Sequence, residues 1–114
     1  VRAYAMGQRE GPADAAALDT MRALVRNAMR DGAFGISTAL IYPPGSYAST
    51  EELIELAKAM APMHGTYITH IRSEESRLLN AMDEAIRIAH RHPGARMGTV
   101  EIRPVLAIPG LPGE

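Results

Sequence analysis

Three stretches of the chain repeat apolar residues at helical spacing, three or four positions apart. This pattern predicts helices over residues 13–31, 50–62 and 74–92, each with one apolar stripe and a polar opposite side. The stripe residues are Leu18, Met21, Leu24, Val25, Ala28 and Met29 in the first helix, Leu53, Ile54, Leu56, Ala57 and Met60 in the second, and Leu78, Leu79, Met82, Ala85, Ile86 and Ala89 in the third. We therefore expect each helix to bury this side against another element.

Short runs rich in β-branched residues lie between and after the predicted helices. They predict strands near residues 33–38, 66–72 and 99–103. The strand centres, near Ile36, Ile68 and Val100, are separated by two intervals of 32 residues. Regular alternation of helix and strand predicts a parallel α/β fold. A (β/α)8 barrel averages about 31 residues per unit and a doubly wound sheet has a similar spacing, so the period leaves the architecture open.

Two features of the sequence frame the second predicted helix. Pro43, Pro44 and Gly45 exclude regular structure and predict a shaped loop before it. Ser49 and Glu52 match a capping box, in which the serine caps a backbone N–H and the glutamate reaches back to the serine. At the start of the chain the sequence shows little periodicity, and we predict a loop there or the tail of a preceding element.

Composition and charge exclude several classes of protein. A net charge of −1, with no basic block and few aromatic residues, argues against a nucleic-acid surface. The absence of cysteine excludes a disulfide framework and suits a cytoplasmic location. The sequence contains no apolar run long enough to span a bilayer and no signal-peptide pattern. Because the sequence begins at Val1 and not at a methionine, we expect the chain to be a fragment of a longer protein.

The second predicted strand carries the main candidate for chemistry. Side chains alternate along a strand, so Ile68, His70 and Arg72 share one face, whose polarity rises toward the carboxyl end. Ligands and catalytic groups collect at that end of the strands in α/β proteins. A neutral imidazole on a rigid strand end is a common zinc ligand. The alternative is that His70 is a half-buried structural histidine.

Three segments of the sequence resemble the N-acyl-D-amino-acid deacylases (D-aminoacylases) of the metal-dependent amidohydrolase superfamily. They are GISTALIYPPGSYA at 35–48, EELIELAK at 51–58 and YITHIRSE at 67–74. The Tyr-Pro-Pro-Gly loop, followed at this separation by Thr-His-Ile-Arg, is the specific part of the match. The resemblance covers roughly residues 7–89. It implies that the chain is about three β/α units from the middle of a (β/α)8 hydrolase barrel.

The resemblance also implies roles for three residues. In this family the histidine that closes the corresponding strand binds the active-site metal, which makes His70 the expected Zn²⁺ ligand. Arg72, at the barrel mouth, is predicted to bind a substrate carboxylate; the alternative is a salt bridge to Glu74 or Glu75. Tyr42 opens a loop that borders the family's active site, and its phenol is predicted to bind a substrate oxygen. The alternative is that its ring packs on the two prolines.

The other histidines are not predicted to bind metal. His64 precedes a glycine at a helix end, and His90 and His92 lie in a terminal helical turn, where residues two apart do not face each other. No catalytic residue is expected within the chain, because the His-x-His pair and the aspartate general base of the family belong to other strands. Pro104 stands where the family has a further metal-binding histidine, which is a departure from the pattern.

The function implied by the resemblance is hydrolysis of the amide bond of small-molecule N-acyl-D-amino acids by metal-activated water. We expect no nucleic-acid or membrane partner, and we expect the remainder of its own barrel as the chain's partner. The isolated chain should be inactive, since one histidine cannot fix a catalytic metal that ordinarily takes three protein ligands. Two alternatives are a non-catalytic α/β interaction module and an amidohydrolase that acts on cyclic amides.

Overall fold

The computed structural model describes residues 1–73 and 76–91 of the chain, which form a small α/β structure. Its elements are α1 (Arg2–Met6), α2 (Ala15–Arg30), β1 (Gly35–Ala39), α3 (Thr50–Met60), β2 (Thr66–His70) and α4 (Leu78–Arg91), with 3₁₀ turns at Gly45–Tyr47 and Ala61–Met63. The two strands pair in parallel and α3 connects them. This confirms the predicted parallel α/β organisation for the described residues. None of the helices in this part of the chain is long and apolar enough to cross a membrane.

The bounds of α2, α3 and the two strands lie close to those expected from the sequence. The second predicted helix, over 50–62, is α-helical to Met60 and then tightens into a 3₁₀ turn. The strand predicted over 66–72 ends at His70, so Arg72 lies beyond the ladder. The strand predicted near 99–103 lies outside the described residues.

At the start of the chain, where the sequence predicted a loop or the tail of a preceding element, the structure has the short helix α1. Arg2 in α1 is buried and pairs with the buried carboxylate of Glu52 in α3. The same contact shows that the predicted capping box of Ser49 and Glu52 forms only in part. The Ser49 hydroxyl accepts from the Glu52 amide at 3.1 Å as predicted, but the Glu52 carboxylate accepts from Arg2 and from the Ala13 amide instead of reaching back. An ion pair between distant elements has replaced half of a local motif.

The buried core lies on one side of the sheet in two adjoining clusters. The first joins α1, α2 and α3 through Met6, Ala17, Met21, Val25, Leu56, Ala57, Ala59 and Met60. The second joins the β1–α3 loop, α3 and α4 through Leu40, Ala48, Leu53, Ile54 and Ile88. Tyr67 of β2 packs against both. Each fully buried side chain of the size of Met21 or Ile54 contributes about 1.5–3 kcal/mol of transfer free energy, so the core fixes the helices on this face of the sheet.

The apolar stripe predicted for α4 is not the side that this helix buries. Ala81 and Ile88 are its buried residues, whereas Leu79 is 75% exposed and Ile86 is also exposed. Glu84 lies between the two buried positions on the same side of the helix, where it binds Arg72, two residues after β2. The helix therefore packs through two apolar residues and one charged residue, and its larger apolar surface is uncovered in the described structure.

The second face of the sheet carries no helix in the described residues. Paired positions of parallel strands share a face, so Ser37 and Ala39 lie beside Ile68 and His70 on this side. All four are exposed, and Ile68 is 65% exposed. The carboxyl ends of both strands, at Ala39 and His70, meet at one edge of this open face.

Candidate functional site

His70 is the last residue of β2 and lies on the open face of the sheet. Its ring is exposed, and Nδ1 lies 3.4 Å from the carbonyl oxygen of Ile71. A carbonyl partner on one ring nitrogen is the usual means of fixing the tautomer of a metal-binding histidine. The structure therefore places the imidazole where the sequence reasoning requires it, at the carboxyl-terminal edge and away from the helices.

The loop between β1 and α3, residues 40–48, folds back over this edge. It is fastened at its start by a hydrogen bond from the Leu40 amide to the carbonyl of His70, at 3.0 Å. Further along, Gly45 approaches β1 so closely that a Cβ atom there would lie 2.4 Å from the Ala39 carbonyl oxygen. Only glycine permits that approach without a shift of the backbone. The Pro-Pro-Gly sequence thus shapes a loop that stays against the strand end.

Tyr42 is the aromatic residue that this loop brings to the site. Its ring centroid lies 6.4 Å from that of His70, with the ring planes tilted by 45°. The residue is 64% exposed, so its phenol is accessible at the same edge as the imidazole. The structure thus brings together two of the three residues nominated from the sequence.

Arg72 is directed away from this pair, into the junction of the loop with α3 and α4. Its Nε and Nη2 atoms donate to the two carboxylate oxygens of Glu84, both at 2.9 Å. Nη1 donates to the Ser46 carbonyl at 2.7 Å, and Nη2 donates to the Ala48 carbonyl at 2.8 Å. The salt bridges to Glu74 or Glu75 considered from the sequence lie outside the described residues.

Glu84 is the functional candidate that the sequence analysis missed. It accepts a further hydrogen bond from the Thr50 hydroxyl at 2.8 Å, in addition to those from Arg72. Its position three residues after Ala81 and four before Ile88 puts a carboxylate on the buried side of α4. A charged residue on a buried stripe needs an internal partner, but the sequence pattern predicted a different stripe for this helix, so no local signal marked Glu84.

The charges of this pair are mutually stabilised. Burial alone would raise the pKa of Glu84, but hydrogen bonds from Arg72 and Thr50 and the positive charge of Arg72 outweigh it, and the pKa is lowered. The hydrogen bond to Glu84 likewise raises the pKa of Arg72. Both groups are therefore ionised at neutral pH, and their contact is a charge-assisted, two-point one.

A cavity of about 360 Å³ adjoins the ion pair on the side of α4. Its lining is polar and charged, and consists of Thr50, Arg72, Ser73, Arg77, Asn80, Ala81, Asp83, Glu84 and Arg87. His70 and Tyr42 do not line it. The cavity is thus separate from the edge where the imidazole and the phenol meet.

The described residues supply one metal-ligand candidate and no complete metal site. No group of three or more His, Cys, Asp or Glu side chains in residues 1–73 and 76–91 could hold a metal ion. His64 sits in a left-handed backbone conformation after the 3₁₀ turn, and His90 lies exposed in the last turn of α4, away from His70. His92 and Pro104 lie outside the described residues. A metal at His70 would need its other ligands from elsewhere.

Similarity to characterised sequences covers most of the chain. The chain matches no protein-family model. It is 39% identical to D-aminoacylase of Alcaligenes xylosoxydans xylosoxydans over 88 residues, which are 77% of this chain and 18% of that protein. It is 44% identical to the N-acyl-D-aspartate deacylase of the same organism over 69 residues, and 35% identical to its N-acyl-D-glutamate deacylase over 71 residues. These matches cover 60% and 62% of this chain, and 14% of each relative.

Solved structures give the same result. The crystal structure of D-aminoacylase that defines a novel subset of amidohydrolases matches with a TM-score of 0.75 and 39% identity, over 79% of this chain and 19% of that one. A D-aminoacylase mutant in complex with copper chloride matches equally well. So does a structure that addresses the functional role of the binuclear metal centre in D-aminoacylase, at 38% identity.

These similarities confirm the resemblance on which the sequence analysis relied. The chain spans less than a fifth of the length of the relatives and structures that it matches. The activity of a whole deacylase is therefore an inference for this chain, to be argued from what its own residues contribute.

Proposed function

We propose that this chain forms part of a metal-dependent hydrolase, because it is similar in sequence and structure to a segment of the N-acyl-D-amino-acid deacylases. The enzyme would cleave the amide bond of an N-acyl-D-amino acid and release a carboxylate and a free D-amino acid. The observation that carries the proposal is the position of His70, at the carboxyl end of a parallel strand and on the face that no described helix covers.

The proposed architecture is a partial (β/α)8 barrel, with residues 1–114 as one piece of a single domain. The parallel pairing of β1 and β2 through α3 is the connection that such a barrel repeats. The exposed apolar residues Phe34, Ile68 and Leu79 support it, because neighbouring β/α units would cover them. The same reasoning assigns the remainder of the barrel as the chain's principal partner. A cytoplasmic location, favoured by the absence of cysteine, belongs to the same proposal.

The metal in this proposal is Zn²⁺, and His70 would be one of its protein ligands. The donor type and the strand-end position fit, and the Nδ1 contact with the Ile71 carbonyl would hold the ring in place. When bound, zinc supplies a Lewis acid that polarises the acyl carbonyl and lowers the pKa of water. His70 alone cannot fix a catalytic zinc, so the isolated 114-residue chain should be inactive.

Tyr42 is proposed to bind the substrate beside the metal ligand. Its accessible phenol lies on the same edge as His70, and the rings are close enough for one small molecule to contact both. A phenol can donate a hydrogen bond to the acyl carbonyl oxygen of the substrate. The contacts of Arg72 support a different role for that residue.

The proposed function is tested by assaying the full-length enzyme that contains this chain on paired N-acetyl-D- and N-acetyl-L-amino acids. We expect deacylation of the D-enantiomer, loss of activity on chelation, and recovery on addition of zinc. The purified 114-residue chain should show no activity under the same conditions. Preference for the L-enantiomer, or chelator-resistant activity, would contradict the proposal; cleavage of a cyclic amide in place of the linear one would favour the other amidohydrolase branch.

A further inference from the structure

We propose that Arg72, held by Glu84, is a positioning residue that fixes the loop of residues 40–48 and so sets Tyr42 against His70. It would not bind the substrate carboxylate itself. This inference rests on the proposed function, since it assigns Tyr42 to the substrate site of a deacylase.

The hydrogen-bonding capacity of Arg72 is almost fully used within the protein. A guanidinium has five N–H donors. Four of these donors are engaged: two by Glu84, one by the Ser46 carbonyl and one by the Ala48 carbonyl. A substrate carboxylate recognised by two parallel hydrogen bonds would have to displace partners that are already satisfied. With 26% of its side chain exposed, Arg72 is also less accessible than Tyr42.

The two carbonyls that Arg72 contacts lie in the half of the loop that returns to α3. The Ser46 amide donates to the carbonyl of Tyr42 at 2.9 Å, and the Ala48 amide donates to the carbonyl of Gly45 at 3.0 Å. Arg72 therefore fixes residues 46–48, and the amide of Ser46 in that segment fixes the backbone of Tyr42. With the Leu40 amide bound to His70 at the other end, the loop is fastened on both sides of the tyrosine.

Glu84 makes this attachment rigid. It is 12% exposed, binds Arg72 at two points and accepts from Thr50 at the start of α3. A planar fork held at two points has little freedom to rotate, whereas a lysine at the same position could make a point contact only. The loop position is thereby coupled to the docking of α4 as well as to β2.

The kinetic test compares the full-length wild-type enzyme with the Arg72→Lys variant. It uses an N-acetyl-D-amino acid and the matching carboxamide, which lacks the carboxylate. We expect kcat/KM to fall about tenfold, by the same factor for both substrates, because displacement of a substrate-binding group by a fraction of an ångström has that order of effect. In a Tyr42→Phe background the same substitution should cost less than about twofold, since Tyr42 is the group through which Arg72 acts.

Arg22→Lys is the matched control. Arg22 has a similar exposed fraction, 27%, and pairs with Asp19 and Glu55 on the α2–α3 side of the fold. Its substitution removes two guanidinium–carboxylate contacts that do not involve the loop of residues 40–48. We expect kcat/KM to stay within about twofold of wild type on both substrates.

A second measurement follows the loop directly by amide hydrogen exchange in the same proteins. Arg72→Lys and Glu84→Gln should each accelerate exchange at the amides of Ser46, Tyr47 and Ala48 by at least about tenfold, with little change in β2. Unchanged exchange in the loop would overturn the proposal whatever the activity. This readout does not depend on turnover.

The remaining outcomes separate the alternatives. A loss confined to the carboxylate substrate would mean that Arg72 binds the substrate, and an equal loss in the Tyr42→Phe background would mean that its role is structural only. Either result overturns the proposal. If wild type shows no deacylase activity while loop exchange responds as expected, the proposed function has failed and the loop attachment stands.

Discussion

Arg2 and Glu52 show how a single pair of charges can define a region that lacks any local pattern. Both side chains are buried, and the Arg2 Nε atom has no hydrogen-bond partner among the described residues. Burying two charges is costly, and their attraction offsets that cost only while both are present. The pair joins α1 to α3, two elements fifty residues apart. Its value to the fold lies in fixing that contact.

We predict that Glu52→Gln in the full-length protein lowers the free energy of unfolding by about 3 kcal/mol, because it leaves the Arg2 charge buried without its partner. Denaturant titration measures this loss. The matched control is Glu51→Gln, one residue earlier, whose carboxylate is exposed and pairs with Arg91 on the surface. That change should cost less than about 1 kcal/mol. Equal effects of the two substitutions would show that the Arg2–Glu52 pair is not a buried one.

At the scale of elements, the Arg72–Glu84 pair joins the end of β2, the loop of residues 40–48 and α4, and the Thr50 hydroxyl extends it to α3. Four elements thus meet at two side chains. Apolar contacts between them, such as those of Ala48 and Ile88, are non-directional. The hydrogen bonds of the Arg72–Glu84 pair are directional, and they fix the orientation of the loop.

The lowered pKa of Glu84 predicts how this junction responds to acid. A carboxyl whose folded pKa lies below its unfolded value stabilises the fold at pH values above the unfolded one, and that contribution is lost as the pH falls through the folded pKa. The protection of the loop amides in wild type, which is the slowing of exchange relative to an unstructured amide at the same pH, should therefore be constant near neutrality and fall only below the ordinary glutamate pKa of 4.5.

The comparison variant for this pH series is Glu84→Gln. Its loop amides should show low protection at every pH, because the neutral side-chain amide cannot form the charge-assisted pair with Arg72. If wild-type and variant loops showed the same pH dependence, the acid response would have to come from other carboxyl groups, and the junction would not depend on the Glu84 charge.

At the scale of the whole molecule, the sequence predicts those features that depend on residues close together in the chain, such as helices, strands and the faces of strands. Although Ala28 is exposed, Met21 and Val25 of the α2 stripe and the whole stripe of α3 face the core as expected, because those helices pack against a continuous apolar surface. The stripe of α4 does not, since the surface it meets includes the charged end of β2, so that Glu84 is on its buried side. The position of His70 was predictable from strand alternation and strand order.

Contacts between distant elements were not predictable in the same way. Nothing local in the sequence pairs Arg2 with Glu52 or Arg72 with Glu84, because each pair depends on how helices settle against the sheet. The loop carbonyls that Arg72 binds have no side-chain signature at all. The candidate site was therefore found through its strand-end histidine and its loop tyrosine, while the means of holding them together required the structure.

We infer that His70 brings one ligand to a metal centre that other parts of the full-length protein complete. The most direct test is elemental analysis of metal in the purified full-length His70→Ala variant, with His90→Ala as the matched control on the exposed end of α4. We predict that His70→Ala loses bound zinc and deacylase activity together, while His90→Ala retains both. Wild-type metal content and activity in the His70→Ala variant would contradict the account.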